Sequence, residues 1–250
     1  MRAAAPQLTH RWPQIGAAIL LGAVCACGTP ASPPVEVDAD SEVPEATRPE
    51  PAITVPFTDR LLPFDAERVQ LSRDYLREHY GIVQDDAAIT PRMAVLHWTA
   101  GPTADSAFAT FSPTHLSGRA ELQGAGSLNV SAHFLVDRDG TTWRLVPETI
   151  MARHVIGLNH VAVGIENVGG GERWPLTEAQ VDANVALIRW LTASYDITHV
   201  IGHHEYTAME GHPYWAERDA GYRTVKSDPG DAFMQSVRER VVDLQLSGAP

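Results

Sequence analysis

The sequence predicts an α/β fold in which helices flank a single mixed β-sheet, and three observations support this prediction. Short apolar runs, typical of buried strands, alternate with longer amphipathic segments, typical of helices, in the second half of the chain. A turn at Asp139-Gly140 joins two strand-like runs into a hairpin, and the two strands of a hairpin are antiparallel. The other predicted strands are connected through helices, so the sheet is expected to be mixed. No internal repeat is found, so the pattern does not indicate a solenoid or a propeller.

Two elements and a long loop are predicted before the hairpin. Asp65 caps a predicted helix that ends at Gly81, and the apolar run at 93–98 predicts a buried strand. From 101 to 128 the pattern fades into Gly, Ser, Thr, Pro and Ala, which predicts a loop. A loop of that length in a compact domain is usually functional or mobile. Because it follows His97 directly, we expect it to form a wall of a site around that residue.

The rest of the chain contains four more predicted strands and two more helices. The strands cover 131–136, 141–146, 161–167 and 198–203. Thr177 and Gln180 form a capping box at the start of a long helix with one apolar face. Asp231 is predicted to cap the last helix. Helices and strands that alternate in this way predict one sheet covered by helices.

Composition limits the classes of function. Hydrophobic residues make up 44% of the chain and charged residues 20%, which excludes general disorder and a multispanning membrane protein. Nineteen Lys and Arg against 31 Asp and Glu give a net charge of −12, which argues against broad nucleic-acid binding. Small molecules, peptides and glycans remain as partners, and we expect a monomer.

Residues 1–27 are interpreted as an export signal. Arg2 and Arg11 precede a thirteen-residue apolar run at 15–27, which is shorter than the roughly 20 residues of a membrane-spanning helix. The run predicts a signal peptide, with a short buried helix as the alternative. It ends at Cys27 in a sequence that resembles a bacterial lipoprotein cleavage site, which implies acylation of Cys27 and a membrane anchor. The expected location is the periplasmic face of an outer membrane, and the alternative is a soluble periplasmic or secreted protein.

Residues 28–57 are predicted to be a linker. They contain seven prolines and six acidic residues against one basic residue. Proline removes backbone donors and like charges repel, so an extended tether fits this composition best. The folded domain is therefore predicted to cover 58–250.

Four polar side chains lie at the ends of predicted strands or in a turn, where simple packing does not explain them. They are His97, Glu166, His203 and Asp228. Each would be costly to bury alone, whereas together at one edge of a sheet they could surround a cation. Two imidazoles and one carboxylate, with water in the fourth position, are typical of a catalytic zinc site. With eleven histidines in the chain, spacing alone leaves this hypothesis weak.

Five short segments carry a resemblance to a known family. They are 96–100, 131–136, 164–167, 201–203 and 226–230. In this order they resemble the zinc-dependent N-acetylmuramoyl-L-alanine amidases, the group related to peptidoglycan recognition proteins and the T7-lysozyme type of amidase. The resemblance covers most of 92–233 and implies a mixed sheet flanked by helices. It also implies peptidoglycan or muropeptides as partners, and cleavage of the bond between N-acetylmuramic acid and L-alanine in cell-wall remodelling or recycling.

The resemblance also implies roles for individual residues. His97, His203 and Asp228 would hold one Zn²⁺ per chain, Glu166 would be the catalytic carboxylate and Lys226 its cationic partner. The stretch from His203 to Asp228 is longer than in smaller family members, and we expect it to form an extra wall of the cleft. His204 is an alternative ligand, because it adjoins His203. A strand alternates sides, and the Gly-His register favours His203.

Three further residues are candidates for binding the substrate, namely His154, Asn159 and Asn167, although loop capping is an equal alternative for the two asparagines. His133 is expected to be a hydrogen-bonded core residue. Two other functions remain open. One is a muropeptide-binding module of the same fold that does not cut its ligand, and the other is a lipoprotein whose zinc is only structural.

Overall fold

Six strands form one mixed sheet in this computed structural model, which describes residues 57–250. The strands are β1 (Phe57–Asp59), β2 (Met93–Trp98), β3 (Phe134–Val136), β4 (Thr142–Arg144), β5 (Ala162–Asn167) and β6 (His199–Gly202). Their order in the sheet is β1-β4-β3-β5-β2-β6. The β3–β4 hairpin is antiparallel, and the other neighbouring strands are parallel. The predicted α/β fold with a single mixed sheet is confirmed.

Helices cover both faces of this sheet. They are α1 (Ala66–Tyr75, continued by a π-helical turn Leu76–Tyr80), α2 (Ala104–Phe111), α3 (Ala120–Gln123), α4 (Glu178–Ser194) and α5 (Asp231–Arg240). Short 3-10 helices follow at His203–Met209 and Val242–Leu244. No helix within 57–250 combines the length and the apolar character needed to cross a membrane.

The predicted helix ends are confirmed where a local signal defines them. The side chain of Asp65 accepts a hydrogen bond from the backbone N–H of Arg68 at the start of α1. The π-helical turn ends at Gly81 with φ of 70°, a left-handed conformation that glycine adopts without steric cost. Thr177 and Gln180 form both bonds of the capping box that begins α4.

Alternate residues of the central strands face two different layers of helices. Ala94 and Leu96 of β2 pack with the apolar side chains of α4 and α5. Met93 and Val95 pack on the opposite face, with α1, α2 and the 3-10 helix that follows β6. This alternation, with a period of two, places His97 on the α1/α2 face of the sheet.

Four predictions about elements need correction. The stretch 101–128 contains α2 and α3, because Thr103 caps α2 by accepting from the N–H of Ser106. The strand predicted at 131–136 is shortened to β3, since the N–H of Ser131 bonds to the loop carbonyl of Arg153. Gly230, not Asp231, is the N-cap of α5, so Asp231 is its first residue.

The fourth correction concerns the start of the domain. β1 was not predicted, and it begins at Phe57, one residue inside the predicted linker. It pairs in parallel with β4, and the guanidinium of Arg144 binds both carboxylate oxygens of Asp59 at 2.8 and 2.9 Å. The signal peptide, Cys27 and residues 28–56 of the linker lie outside the described residues.

Candidate functional site

Three neighbouring parallel strands bring the predicted site residues to one edge of the sheet. β5, β2 and β6 lie side by side, and parallel strands place their carboxyl ends together. His97 near the end of β2 pairs with Glu166 near the end of β5. His203 follows β6 directly, one position after the pairing of Leu96 with Gly202. The sheet register therefore brings together residues that are far apart in sequence.

His97, His203 and Asp228 form a tight buried cluster. The Nδ1 atoms of His97 and His203 are 2.9 Å apart, and Oδ2 of Asp228 lies 3.0 Å from the second and 3.3 Å from the first. A tetrahedral zinc ion with bonds of about 2.0–2.1 Å holds its ligand atoms roughly 3.3 Å apart. The three atoms thus form a triangle close in size to one face of such a tetrahedron, and the donor set fits a zinc ion.

The charge states of the cluster also suit a metal. Burial, with the neighbouring imidazole of His97, lowers the pKa of His203 to about 4, so its ring is neutral at pH 7. Burial alone would raise the pKa of Asp228, but its polar contacts with the rings of His203 and His97 hold that pKa well below its ordinary value. A neutral imidazole and an ionised carboxylate are the forms that bind a cation.

The structure brings His203, not His204, into this cluster. The ring of His204 points away, with Nδ1 3.0 Å from the backbone carbonyl of Asp228 and Nε2 2.9 Å from the carboxylate of Asp231. The N–H of His204 also donates to the same Asp228 carbonyl at 2.8 Å. His204 therefore anchors the backbone of the turn that carries Asp228.

Glu166 lies beside the cluster with a carboxylate suited to proton transfer. Burial raises the pKa of Glu166 to about 7, against the opposing influence of His97. Its Oε2 is buried and has no hydrogen-bond partner among the described residues. An unpartnered buried oxygen next to a cleft is free to accept a proton from a bound molecule.

Lys226 provides a positive charge at the same cavity and is the only lysine in the chain. Burial lowers its pKa from the ordinary value, and the negative charge of Asp228 partly opposes this. Glu166 is also among the charges that act on Lys226, so the predicted pair lies within electrostatic reach. The site residues predicted from sequence as ligands and catalytic pair all line one cavity.

The cavity has a volume of about 190 Å³, and apolar side chains such as Tyr75, Leu122 and Ile156 line it together with the cluster. Tyr222 and Thr224 line it from the long stretch after His203. This supports the expectation that the long stretch walls the cleft. The 101–128 region contributes Phe111, Arg119 and Leu122, as expected for its wall.

Arg119 is a cavity residue that the sequence did not reveal. It has a left-handed backbone with φ of 52°, and its charge acts on both Glu166 and Lys226. The only sequence feature that could have indicated this role is an arginine within a stretch of small polar residues, and its spacing does not predict that it faces the cleft.

The two asparagines predicted as substrate contacts are fully buried. Asn167 follows Glu166 and points to the opposite face of the sheet, where its amide donates to His97 O and accepts from Asn184. Asn159 accepts from the N–H groups of His154 and Val155 through Oδ1. These contacts do not support substrate binding, because the polar atoms are used within the fold.

Two further histidines lie next to the cluster. His133 is fully buried, with Nε2 bonded to Ile150 O and Nδ1 accepting from the N–H of Gly164, as expected for a core residue. His154 borders the cavity and contacts His97 directly, with its Nδ1 3.0 Å from His97 Nε2. Burial lowers the pKa of His154 well below its ordinary value.

A protein-family model for N-acetylmuramoyl-L-alanine amidase matches residues 87–231 of the chain. No protein with a curated description matches it. Among solved structures, the N-acetylmuramoyl-L-alanine amidase LysC from Clostridium intestinale URNW is 23% identical to this chain. The match covers 64% of this chain and 88% of the LysC chain, with a TM-score of 0.43. A selenomethionine derivative of AmpD is 24% identical, and the match covers 60% of this chain and 84% of the AmpD chain, with a TM-score of 0.42. Human PGRP-IBETAC, solved with glycosamyl muramyl pentapeptide, is 19% identical over 60% and 87%, with a TM-score of 0.40.

Proposed function

The chain belongs to the N-acetylmuramoyl-L-alanine amidase family, and from this premise we propose that it is a zinc-dependent hydrolase of peptidoglycan. The bond cut joins the lactyl group of N-acetylmuramic acid to L-alanine of the stem peptide. The observation that carries the proposal is the convergence of His97, His203 and Asp228 beside Glu166 at the cavity.

The three clustered residues would hold one zinc ion through Nδ1 of each histidine and a carboxylate oxygen of Asp228. When bound, the ion supplies a Lewis acid that polarises the scissile carbonyl and makes water more acidic. Among residues 57–250, the cluster has three members of the His, Cys, Asp and Glu type. Three protein ligands leave a coordination position for substrate or water, as in catalytic rather than structural zinc sites.

Glu166 would transfer the proton of the attacking water. As the water oxygen bonds to the amide carbon, Oε2 of Glu166 accepts one water proton, and it then donates that proton to the alanine nitrogen as the C–N bond breaks. The products are a lactyl carboxylic acid and a stem peptide with a free amine. A carboxyl group with a pKa of about 7 can serve as base and then as acid near neutral pH.

Lys226 would stabilise the negative charge that develops on the carbonyl oxygen. Its ammonium lines the cavity that contains Glu166 and the metal cluster. A fixed cation in a partly buried site interacts with such a charge more strongly than water does, because its orientation costs nothing during the reaction.

A muropeptide-binding module without activity is the alternative that family membership leaves open. Such a module needs neither a complete set of metal ligands nor a carboxylate with an elevated pKa. This chain has both, which favours catalysis. The remaining alternative, a structural zinc site, would be closed by a fourth protein ligand.

Mass spectrometry of fragments released from purified sacculi tests these functions together. The full chain is incubated with sacculi as purified, with a chelator, and with zinc restored after chelation. We expect intact stem peptides with free L-alanine, loss of their release with chelator and recovery with zinc. Binding to sacculi without release of peptides would indicate the binding module. Bound zinc with neither release of peptides nor binding to sacculi would indicate the structural role.

We also propose that the domain acts at the cell wall from the periplasmic face of the outer membrane, as a monomer tethered by an acylated Cys27. This rests on the sequence of residues 1–57. Palmitate labelling and membrane fractionation of the wild type and Cys27→Ser test it. Equal labelling of the two proteins would contradict the anchor and favour a soluble exported protein.

A further inference from the structure

His154 lies between the candidate metal cluster and the strand β5. Its Nδ1 is 3.0 Å from Nε2 of His97, and its Nε2 is 3.2 Å from the backbone carbonyl of Ala162 at the start of β5. The rings of His97 and His154 are nearly perpendicular, with centroids 5.0 Å apart. One imidazole thus connects the sheet backbone to the atom of His97 that faces away from the cluster.

The direction of these hydrogen bonds follows from the carbonyl of Ala162. A carbonyl oxygen can only accept, so the proton of His154 is on Nε2. A second proton on Nδ1 would place a positive charge among other imidazoles, and within residues 57–250 no carboxylate is a hydrogen-bond partner of this ring. Nδ1 of His154 therefore accepts, and Nε2 of His97 donates to it. A neutral His97 with its proton on Nε2 has a free lone pair on Nδ1, the atom that lies 2.9 Å from His203.

We propose that His154 is a positioning residue, which fixes the tautomer and the ring orientation of His97 so that Nδ1 of His97 can bind the metal. The inference rests on the metal site of the proposed function and assigns His154 a role other than binding the substrate. Hydrogen-bond partners of this kind raise the basicity of a ligating imidazole, and their loss typically weakens metal binding about 10- to 100-fold.

Gly164 of β5 makes room for this arrangement. A Cβ atom at position 164 would lie 2.7 Å from Cγ of His154 and 2.8 Å from its Nδ1, closer than side chains approach each other. Both are atoms of a ring that is hydrogen-bonded on two sides, so the ring cannot yield without losing those bonds. The absence of a side chain at 164 therefore allows His154 to lie against the strand next to His97.

Asn159 holds the backbone that carries His154. Its Oδ1 accepts from the N–H of His154 at 2.9 Å and from that of Val155 at 2.8 Å, while its Nδ2 donates to the hydroxyl of Tyr80 at 2.9 Å. Asn159 itself is fully buried. The buried amide thus supports the position of His154, and its polar atoms are used within the fold although Asn159 borders the cavity.

The test measures zinc affinity of the full chain by competition with a chromogenic chelator. His154→Leu removes the acceptor for His97, and we expect about 10- to 100-fold weaker zinc binding. His154→Asn retains an acceptor oxygen near the place of Nδ1 and should recover most of the affinity. Gly164→Ala leaves the imidazole in the chain but displaces it, and should weaken zinc binding as His154→Leu does.

His160→Leu is the matched control, because His160 is a largely buried histidine six positions away whose ring packs at a tilt against Tyr80, and it is not among the residues that line the cavity. Its zinc affinity should equal that of the wild type. Zinc binding by His154→Leu as tight as in the wild type would overturn the proposal. So would equal losses in His154→Leu and His160→Leu, since these would indicate a general effect on the fold.

A second measurement needs neither a variant nor a metal. Long-range ¹H–¹⁵N correlation spectra of the metal-free wild type report which ring nitrogen of each histidine carries the proton. We expect both His97 and His154 to be protonated on Nε2, and a proton on Nδ1 of His97 would overturn the inference. Because neither readout involves turnover, the proposal can fail while the amidase function holds, and the reverse is equally possible.

Discussion

The face of the sheet that packs against α4 and α5 is lined mainly by apolar side chains, whereas the opposite face carries His97, His133 and Glu166 in addition to an apolar layer of its own. Both faces are buried, but they are held together differently. On the α4/α5 face, side chains such as Leu96 and Ile165 interlock by shape. On the α1/α2 face, rings and carboxylates are fixed by hydrogen bonds with a defined direction.

The last two residues of β5 show this difference between the two faces. Glu166 points to the cleft, and Asn167 points to α4, where it pairs with Asn184. One strand thus places a reactive group on one face and a structural amide on the other. We infer that the apolar layers on both faces stabilise the fold, whereas the chemistry depends on the polar side chains of the α1/α2 face, and the following predictions test that separation.

The largest effect is expected for Glu166→Gln. The amide cannot accept the water proton, so the rate of stem-peptide release should fall by about a thousandfold, while zinc content and thermal stability stay unchanged. Glu172→Gln, at an exposed residue, is the control and should retain full activity. Full activity of Glu166→Gln, measured on purified sacculi, would remove Glu166 from the mechanism.

Leu187→Ala tests the other face. Leu187 of α4 is 1% exposed within the apolar layer, so its truncation should cost about 3 kcal/mol in the free energy of unfolding. The zinc affinity of the folded protein and its rate of turnover should stay close to those of the wild type. Chemical denaturation and chelator competition measure the two quantities. A loss of zinc affinity that matches the loss of stability would contradict the separation of the faces.

Lys226→Met should slow turnover by about a hundredfold, because it removes a fixed charge near the developing oxyanion. Lys226→Arg should recover part of the rate, since it keeps the charge but changes its geometry. As Lys226 is the only lysine, acetylation of amines in the wild type should reproduce the effect of Lys226→Met. Wild-type rates after complete acetylation of that side chain would contradict its role.

The smallest effect is expected for the contribution of His160 to the pH dependence of the unfolding free energy. Burial lowers the pKa of His160 to about 4, below the unfolded value of about 6.5. The unfolded state therefore binds more protons between these values, and stability falls as the pH drops through this window. In metal-free protein, His160→Gln should reduce the loss of unfolding free energy between pH 7 and pH 5 by about 2 kcal/mol. Identical denaturation profiles for the two proteins at pH 5 and pH 7 would contradict the shift.

Local signals predicted elements well where one or two residues define them. The Thr177–Gln180 capping box, the Asp65 cap and the turn before β4 were recognised because their hydrogen bonds involve near neighbours. The helices within 101–128 were not recognised, because they are short and lie in a stretch rich in Gly, Ser, Thr and Pro, although Ala104, Ala107 and Phe111 of α2 have the spacing of a buried helix face. β1 was missed because three residues show no pattern without their partner β4.

The sequence by itself determined the α/β class, the positions of the main strands along the chain and the identity of the polar residues at their ends. It did so because strand and helix periodicities, caps and motif segments are local properties of the chain. Only the tertiary structure decided which of those polar residues meet. The parallel register of β5, β2 and β6 brings Glu166, His97 and His203 together, and the alternation of a strand sends Asn167 to the other face. The hydrogen bond between His97 and His154 is possible only because Gly164 has no side chain that would displace the His154 ring. Such contacts between distant segments exist only once the sheet has formed.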